Sequence, residues 1–202
     1  MKNRAIFLDR DGTLNRDVGY PNDFRQIHLY RFSFGAVRSI LRMGFLPVVV
    51  TNQSGIGRGL IPEPALRDIH RRLLDLMKKN RAGLAGVYYC PHYVGSADRR
   101  YARDCACRKP KPGMGRRAAA DLGLDLGSSY MIGDKVEDIL FGRAIGAVPV
   151  LVLTGYGRKS RAAFEASPSK PGPAHIARDL GAAVRWIERR ETAARRTGRR
   201  AS

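Results

Sequence analysis

The 202-residue chain is long enough for one domain with a sizeable core, and 44% of it is hydrophobic, as in an ordinary globular protein. No apolar run reaches the length of a spanning helix, and a strand begins too soon after Met1 for a signal peptide, so a cytoplasmic enzyme is expected. The formal net charge of +19, from 37 Lys+Arg against 18 Asp+Glu, admits an anionic substrate, an acidic surface or nucleic acid.

Ile6-Phe7-Leu8 reads as a buried strand, followed by Asp9, Arg10, Asp11 and the turn-permitting Gly12. Carboxylates at i and i+2 beyond a strand end can face one cavity, one attacking and the other moving protons. Taken alone, such a pair is more commonly a solvated acidic loop. The polar stretch Asn15–Tyr30, with Asp17, Val18, Gly19 and Tyr20, either walls that cavity or merely connects. Ala36, Val37, Ile40 and Leu41 recur at helical spacing, and Gly44 ends the helix.

Phe45–Val50 reads as a second buried strand, halting at Thr51-Asn52-Gln53-Ser54-Gly55-Ile56-Gly57. Hydroxyl, amide and backbone N–H groups make that loop a candidate phosphate cradle. A helix over Pro62–Asn80 turns Leu66, Ile69, Leu73, Leu76 and Met77 to the core, and His70, among charged neighbours, is placed on the surface.

Val87-Tyr88-Tyr89, a third strand, leads to Cys90-Pro91-His92 and, after an arginine-rich loop, to Cys105-Ala106-Cys107. All 3 cysteines fall in this one segment, which favours a metal over a disulfide framework. Three thiolates and one imidazole suit a closed, structural zinc site, and buried free thiols beside a satisfied histidine are the alternative. Arg108-Lys109-Pro110-Lys111-Pro112 can aim rigid positive charge at a phosphate, or be a solvated basic turn.

A helix is predicted over Met114–Leu122, then a fourth strand, Ser129–Ile132, ending in Gly133-Asp134-Lys135. Asp134 can complete an oxygen-ligand magnesium site with Asp9, while Asp138 either supports that site or simply favours a helix N-terminus. A helix to Ala144 and a fifth strand, Val148–Leu153, close the sheet. Thr154–Arg158 is read as a loop, Ser167–Pro173 as a linker and Ala174–Ile187 as the last helix. Residues 1–188 form one domain in this reading, with a zinc loop at 90–107 and a basic, disordered tail at 189–202. Strand-helix alternation with every polar motif just after a strand predicts an α/β fold with a doubly wound parallel sheet.

In order, the segments LDRDGTLN, VVVTNQSGIGRG, YYCPH, CACRKPKPGM and SYMIGDKVED, spanning Ala5–Gly155, resemble the haloacid dehalogenase superfamily of phosphatases, and within it the histidinol-phosphatase-like group. The resemblance implies a Rossmann-like fold without a large cap domain, because the stretch from Asp11 to Thr51 is too short to hold one. It implies Asp9 as the nucleophile, Asp11 as general acid and then base, and Thr51 and Lys109 on the phosphoryl oxygens. Magnesium would sit on Asp9, the backbone carbonyl of Asp11 and Asp134, and zinc on Cys90, His92, Cys105 and Cys107. Arg108 would recognise the rest of the substrate, with Asp17, Val18, Gly19, Tyr20, Asn52, Gln53, Ser54 and Lys135 lining the site. One of the two neighbouring acids is expected to stay protonated at working pH.

The implied activity is removal of the 7-phosphate from D-glycero-D-manno-heptose 1,7-bisphosphate, in making heptose precursors of lipopolysaccharide and related cell-surface glycans. Histidinol phosphate or another small phosphomonoester is the alternative substrate. From another class, the charge suggests a zinc-containing nucleic-acid-binding protein, but no recognition helix or aromatic stacking platform supports it. A monomer is expected.

Overall fold

The computed structural model describes residues 2–167, 169 and 171–198. Six parallel strands form one sheet, in the order β3-β2-β1-β4-β5-β6. They are β1 (Arg4–Leu8), β2 (Phe45–Asn52), β3 (Gly86–Cys90), β4 (Tyr130–Gly133), β5 (Val148–Val152) and β6 (His175–Ala177). The connecting helices are α1 (Ser33–Arg42), α2 (Ser54–Gly57), α3 (Glu63–Lys79), α4 (Gly113–Leu122), α5 (Val136–Ala144), α6 (Gly157–Glu165) and α7 (Leu180–Gly198).

The apolar runs in β1 and β2 are continuous because helices cover both faces of the sheet. Ile6 and Leu8 face a core with α1, α3 and α7, built on Val37, Ile40, Leu73, Met77, Val184 and Ile187. Ala5 and Phe7 alternate to the other face, against Met114 and Ala118 of α4, Phe141 of α5 and Ile145 just after it. Between β1 and β2 the chain makes a single-turn helix, Phe24–Gln26, and α1, so no large cap is inserted there.

β1 lies between β2 and β4, and the connections leave it in opposite directions. That arrangement opens a crevice at the carboxyl ends of these three strands. Asp9, Thr51 and Asp134 sit at those ends.

The structure departs from the sequence pattern toward the C-terminus. A sixth strand, β6, occupies the start of the predicted last helix, which begins only at Leu180. Three residues are too few to show a two-residue period, and β6 is fixed by pairing Val150 with His175 at the sheet edge. The predicted loop Thr154–Arg158 ends early, because the helix Gly157–Glu165, few of whose residues are buried, begins within it. The segment from Arg189, predicted to be disordered, continues α7 to Gly198. Its Ala, Arg and Glu residues are good helix formers, and Glu191 anchors it by accepting from Arg4 Nη1 at 2.6 Å and the Tyr130 hydroxyl at 2.7 Å. Residues 199–202 of the predicted tail, and Pro168 and Lys170 of the predicted linker, lie outside the described residues. No described helix is long and apolar enough to cross a membrane.

Candidate active site

Lys109 is the hub of the crevice. Its ammonium donates to Asp9 Oδ1 at 2.6 Å, Asp138 Oδ1 at 2.6 Å and the Val50 carbonyl at 2.8 Å. Burial opposes its charge, but Asp138 and Asp9 outweigh burial and hold its pKa above the ordinary lysine value. Asn52, at the end of β2, brackets the Lys109 backbone. Its Oδ1 accepts from the Lys109 N–H at 3.0 Å and its Nδ2 donates to the Lys109 carbonyl at 3.1 Å. Asn52 borders the cavity, as expected of a substrate-lining residue, yet its amide is spent on placing Lys109.

Asp9, Asp134 and Asp138 each offer an oxygen within 4.8 Å of the others. Asp138 is committed, since its second oxygen accepts from the Lys135 N–H at 2.9 Å. Asp134 accepts from the Tyr156 N–H at 2.7 Å through Oδ2, but its buried Oδ1 has no hydrogen-bond partner. An orphaned carboxylate oxygen beside a second carboxylate fits a hard divalent cation such as magnesium. Gly12 makes room for it. Its φ is +91°, and a Cβ there would lie 2.2 Å from Asp134 Oδ2.

Burial, followed by the neighbouring carboxylates, pushes Asp134 up to about 8. Asp9 is pushed up to about 7, mainly by burial and against the pull of Lys109. Both groups bind protons more readily folded than unfolded, so they favour the fold at low pH and lose that contribution as pH rises through those values. In magnesium-free buffer the thermal midpoint is therefore expected to rise on going from about pH 8 to about pH 5. Added magnesium should stabilise more at the upper end, where both carboxylates are ionised. A midpoint that falls on this acidification would contradict the assignment.

Asp11 behaves differently. Burial raises its pKa, but the Arg10 charge and hydrogen bonds from Arg10, Asn15 and Gln53 lower it further than burial raises it. Arg10 Nε lies 3.1 Å from both oxygens and Nη2 lies 2.8 Å from Oδ2. Asn15 and Gln53 donate at 2.9 and 3.0 Å. Of the two neighbouring acids, one of which was expected to stay protonated, Asp11 is therefore the ionised one and Asp9 the one that holds a proton more readily. Asp9 and Asp134 have the raised values, because Arg10 is buried directly against Asp11.

A cavity of about 330 Å³ opens over these groups. Of the predicted site residues, Asp9, Asp11, Asp17, Gly19, Tyr20, Thr51, Asn52, Gln53, Ser54, Arg108, Lys109 and Lys135 line it. Gln53 Nε2 ties Thr51 Oγ1, at 2.9 Å, to Asp11. Lys135 reaches across the rim to Asp17 Oδ2 at 3.2 Å. Val18 is not in the lining. It is 42% exposed and faces a shallow outer groove with Pro21 and His28.

Gly55 of the predicted cradle loop lines the cavity too, as do Glu137 and Tyr156, which were not anticipated from the sequence. His70, predicted to be on the surface, is 6% exposed and lies 2.9 Å from Arg10 Nη1. The signal was its register. His70 is four residues after Leu66 and three before Leu73, on the apolar stripe of α3.

The second predicted metal site assembles as expected. The donor atoms of Cys90, His92, Cys105 and Cys107 lie within 4.8 Å of one another. Sulfur–sulfur distances are 3.4 Å for Cys90–Cys105 and 3.2 Å for Cys105–Cys107. His92 Nδ1 lies 3.6 Å from Cys90 Sγ and 3.2 Å from Cys107 Sγ. Tetrahedral zinc with bonds of about 2.3 Å needs donors about 3.8 Å apart, so the set fits a closed zinc site with small adjustments. The hydrogen bond from Cys90 is the main cause holding the Cys107 thiol down at about 5, while that same contact and burial push Cys90 up. The knuckle also supports the phosphate-cradle loop. The Gln53 N–H donates to the Cys90 carbonyl at 2.8 Å, and the Gly57 N–H to the Pro91 carbonyl at 3.1 Å.

The chain is similar to known phosphatases. The HAD-hydrolase-like family profile matches residues 106–183. D-glycero-beta-D-manno-heptose-1,7-bisphosphate 7-phosphatase of Pasteurella multocida is 44% identical over 153 residues, covering 75% of this chain and 83% of that one. The Escherichia coli K12 protein of the same name is 41% identical, covering 75% and 80%. Among solved structures, D,D-heptose 1,7-bisphosphate phosphatase from B. bronchiseptica, complexed with magnesium and phosphate, aligns with a TM-score of 0.80 at 29% identity, over 93% of this chain and 99% of that one. The shared fold, the carboxylate cluster at the switch point and these relatives place the chain in the D-glycero-β-D-manno-heptose-1,7-bisphosphate 7-phosphatase family of the haloacid dehalogenase superfamily, to which it belongs.

Proposed function

We propose that this enzyme removes the 7-phosphate of D-glycero-β-D-manno-heptose 1,7-bisphosphate through an aspartyl-phosphate on Asp9. The observation that carries the reading is the placement of the buried Asp9 carboxylate 2.6 Å from Lys109 Nζ, beside the unpartnered Asp134 oxygen, on the floor of a small polar cavity.

Asp9 attacks phosphorus as the bond to the sugar oxygen breaks, and Asp11 protonates that leaving oxygen. Water then attacks the aspartyl-phosphate, Asp11 takes its proton, and phosphate leaves with Asp9 restored. Asp11 starts ionised and acquires its proton when the incoming phosphate dianion raises its proton affinity. Lys109 and Thr51 stabilise charge on the phosphoryl oxygens. Asp9, Asp134 and the Asp11 carbonyl would hold magnesium, whose charge offsets repulsion between carboxylate and phosphate.

The rest of the substrate falls to Arg108, which lines the cavity and donates to the His92 carbonyl at 3.4 Å, so that the zinc knuckle sets its position. A second phosphate gives that guanidinium a bidentate partner that histidinol phosphate lacks. Arg108→Ala is expected to raise KM for the heptose bisphosphate by about 10- to 100-fold and to leave histidinol phosphate turnover unchanged. Equal losses on both substrates would contradict this role.

A cavity of about 330 Å³ suits a small phosphate ester rather than a polymer. A sugar bisphosphate is confined by its charge to the compartment that makes it, here the cytoplasm, and a monomer is the working unit in this reading. Phosphate release measured with both heptose anomers and with histidinol phosphate at matched concentrations tests the reading. Preference for the β anomer supports it, and preference for histidinol phosphate overturns it.

A further inference from the structure

His70 has no place in the chemistry above. It sits on α3, away from the cavity lining, yet it is a buried imidazole aimed at the acid-base residue's partner. Arg10 is completely buried and spends its guanidinium in two directions. Nε and Nη2 grip the Asp11 carboxylate, and Nη1 lies 2.9 Å from His70 Nε2. Arginine has no acceptor, so Nε2 must accept and the imidazole is neutral with its proton on Nδ1. Burial and then the Arg10 charge keep it so, pushing His70 down to about 3.

The ring is held in turn. It packs at 5.4 Å against Tyr89, whose hydroxyl donates to Glu63 Oε1 at 2.7 Å. Glu63 Oε2 accepts from Tyr101 of the zinc loop at 2.6 Å. An ion pair that served only to hold the surface would need no such backing. Each element of this line is fixed by the next, and it ends on the carboxylate that must move protons at the sugar oxygen.

We propose that His70 is a positioning residue for this phosphatase: by accepting from Arg10 Nη1 it fixes the Arg10 fork, and through that fork it aims the Asp11 carboxylate at the leaving oxygen. The inference rests on the reading that Asp11 transfers protons during phosphomonoester hydrolysis. It assigns His70 a role in the rate of the chemical step, not in substrate binding.

His70→Leu, which removes the acceptor, is expected to lower kcat by about 10- to 100-fold with KM little changed. The solvent deuterium isotope effect on kcat should rise above that of the unaltered enzyme, because a misaimed acid makes proton transfer more rate-limiting. His70→Gln, whose Oε1 can stand in for Nε2, should restore most of the rate and the original isotope effect. His70→Asn, polar but too short to reach Arg10, provides the comparison if the leucine variant does not fold. It should behave as His70→Leu does in rate and isotope effect. A fall in kcat with an unchanged isotope effect, a change in KM alone, or equal activity of the Gln and Asn variants would overturn the proposal. All measurements use the phosphomonoester that the unaltered enzyme hydrolyses best. Absence of heptose bisphosphate turnover in the unaltered enzyme would thus count against the substrate assignment and not against His70.

Discussion

Asp9→Asn is expected to reduce phosphate release by a factor on the order of 10⁵ while leaving the protein at least as stable as before. The loss follows from chemistry. An amide oxygen cannot form the acyl phosphate, and the remaining groups can only bind the substrate. The stability expectation follows from the charge balance. Asp9, Asp134 and Asp138 crowd into one buried cluster with Lys109 as the cation at its centre. The raised pKa values of Asp9 and Asp134 are the sign that holding these charges here costs free energy, through burial first and through the neighbouring carboxylates after it. Removing one negative charge relieves it, and the amide oxygen can still accept from Lys109 Nζ. Phosphate release and thermal unfolding measured side by side check both halves. Retained turnover would refute the nucleophile assignment, and a large fall in the thermal midpoint would refute the account of the cluster.

The same residues show which parts of the structure were legible in the sequence. Strands covered on both faces must be apolar throughout, so Ile6–Leu8 and Phe45–Val50 stand out, and the polar residue that stops each run marks the carboxyl end where the site lies. Asp9, Thr51 and Asp134 are legible in this way. The cysteines are legible because three thiols and a histidine within one coreless loop match the donor set of zinc. What escapes depends on pairings between distant segments. Asn52 reads as a cradle residue until the fold brings Lys109, 57 positions away, against its amide. Asp138 reads as a helix-start acid, and it is one, since it accepts from the Lys135 N–H, but its other oxygen meets Lys109. Arg10 is given no role by the sequence pattern, and only its burial between Asp11 and His70 shows one. The proton state of Asp11 escapes for the same reason, because it is set by that buried arginine.

Removal of zinc should also cost most of the activity, although no zinc ligand touches the reacting phosphate. The loop between Cys90 and Cys107 contributes little to either main core, so it depends on the metal for its shape. Its two ends hold the site. Cys90 and Pro91 carbonyls accept from Gln53 and Gly57 of the phosphate cradle, and Cys107 leads directly into Arg108 and Lys109. Cys107→Ser is expected to lower zinc content from about one per chain to a trace. The thermal midpoint should fall by on the order of 10 °C, since a structural zinc site stabilises whatever it closes. Turnover should fall by about 100-fold or more, because a displacement of about 1 Å at Lys109 is enough to lose that much. Asn52, which brackets Lys109 from β2, sets the lower limit of the damage by retaining the lysine near the crevice. Magnesium added in excess should not rescue the variant, since its carboxylate donors are untouched by the substitution and the defect lies in the loop. Full activity in a zinc-free protein would mean that the knuckle holds its shape by packing alone, and that Lys109 is positioned from the sheet side.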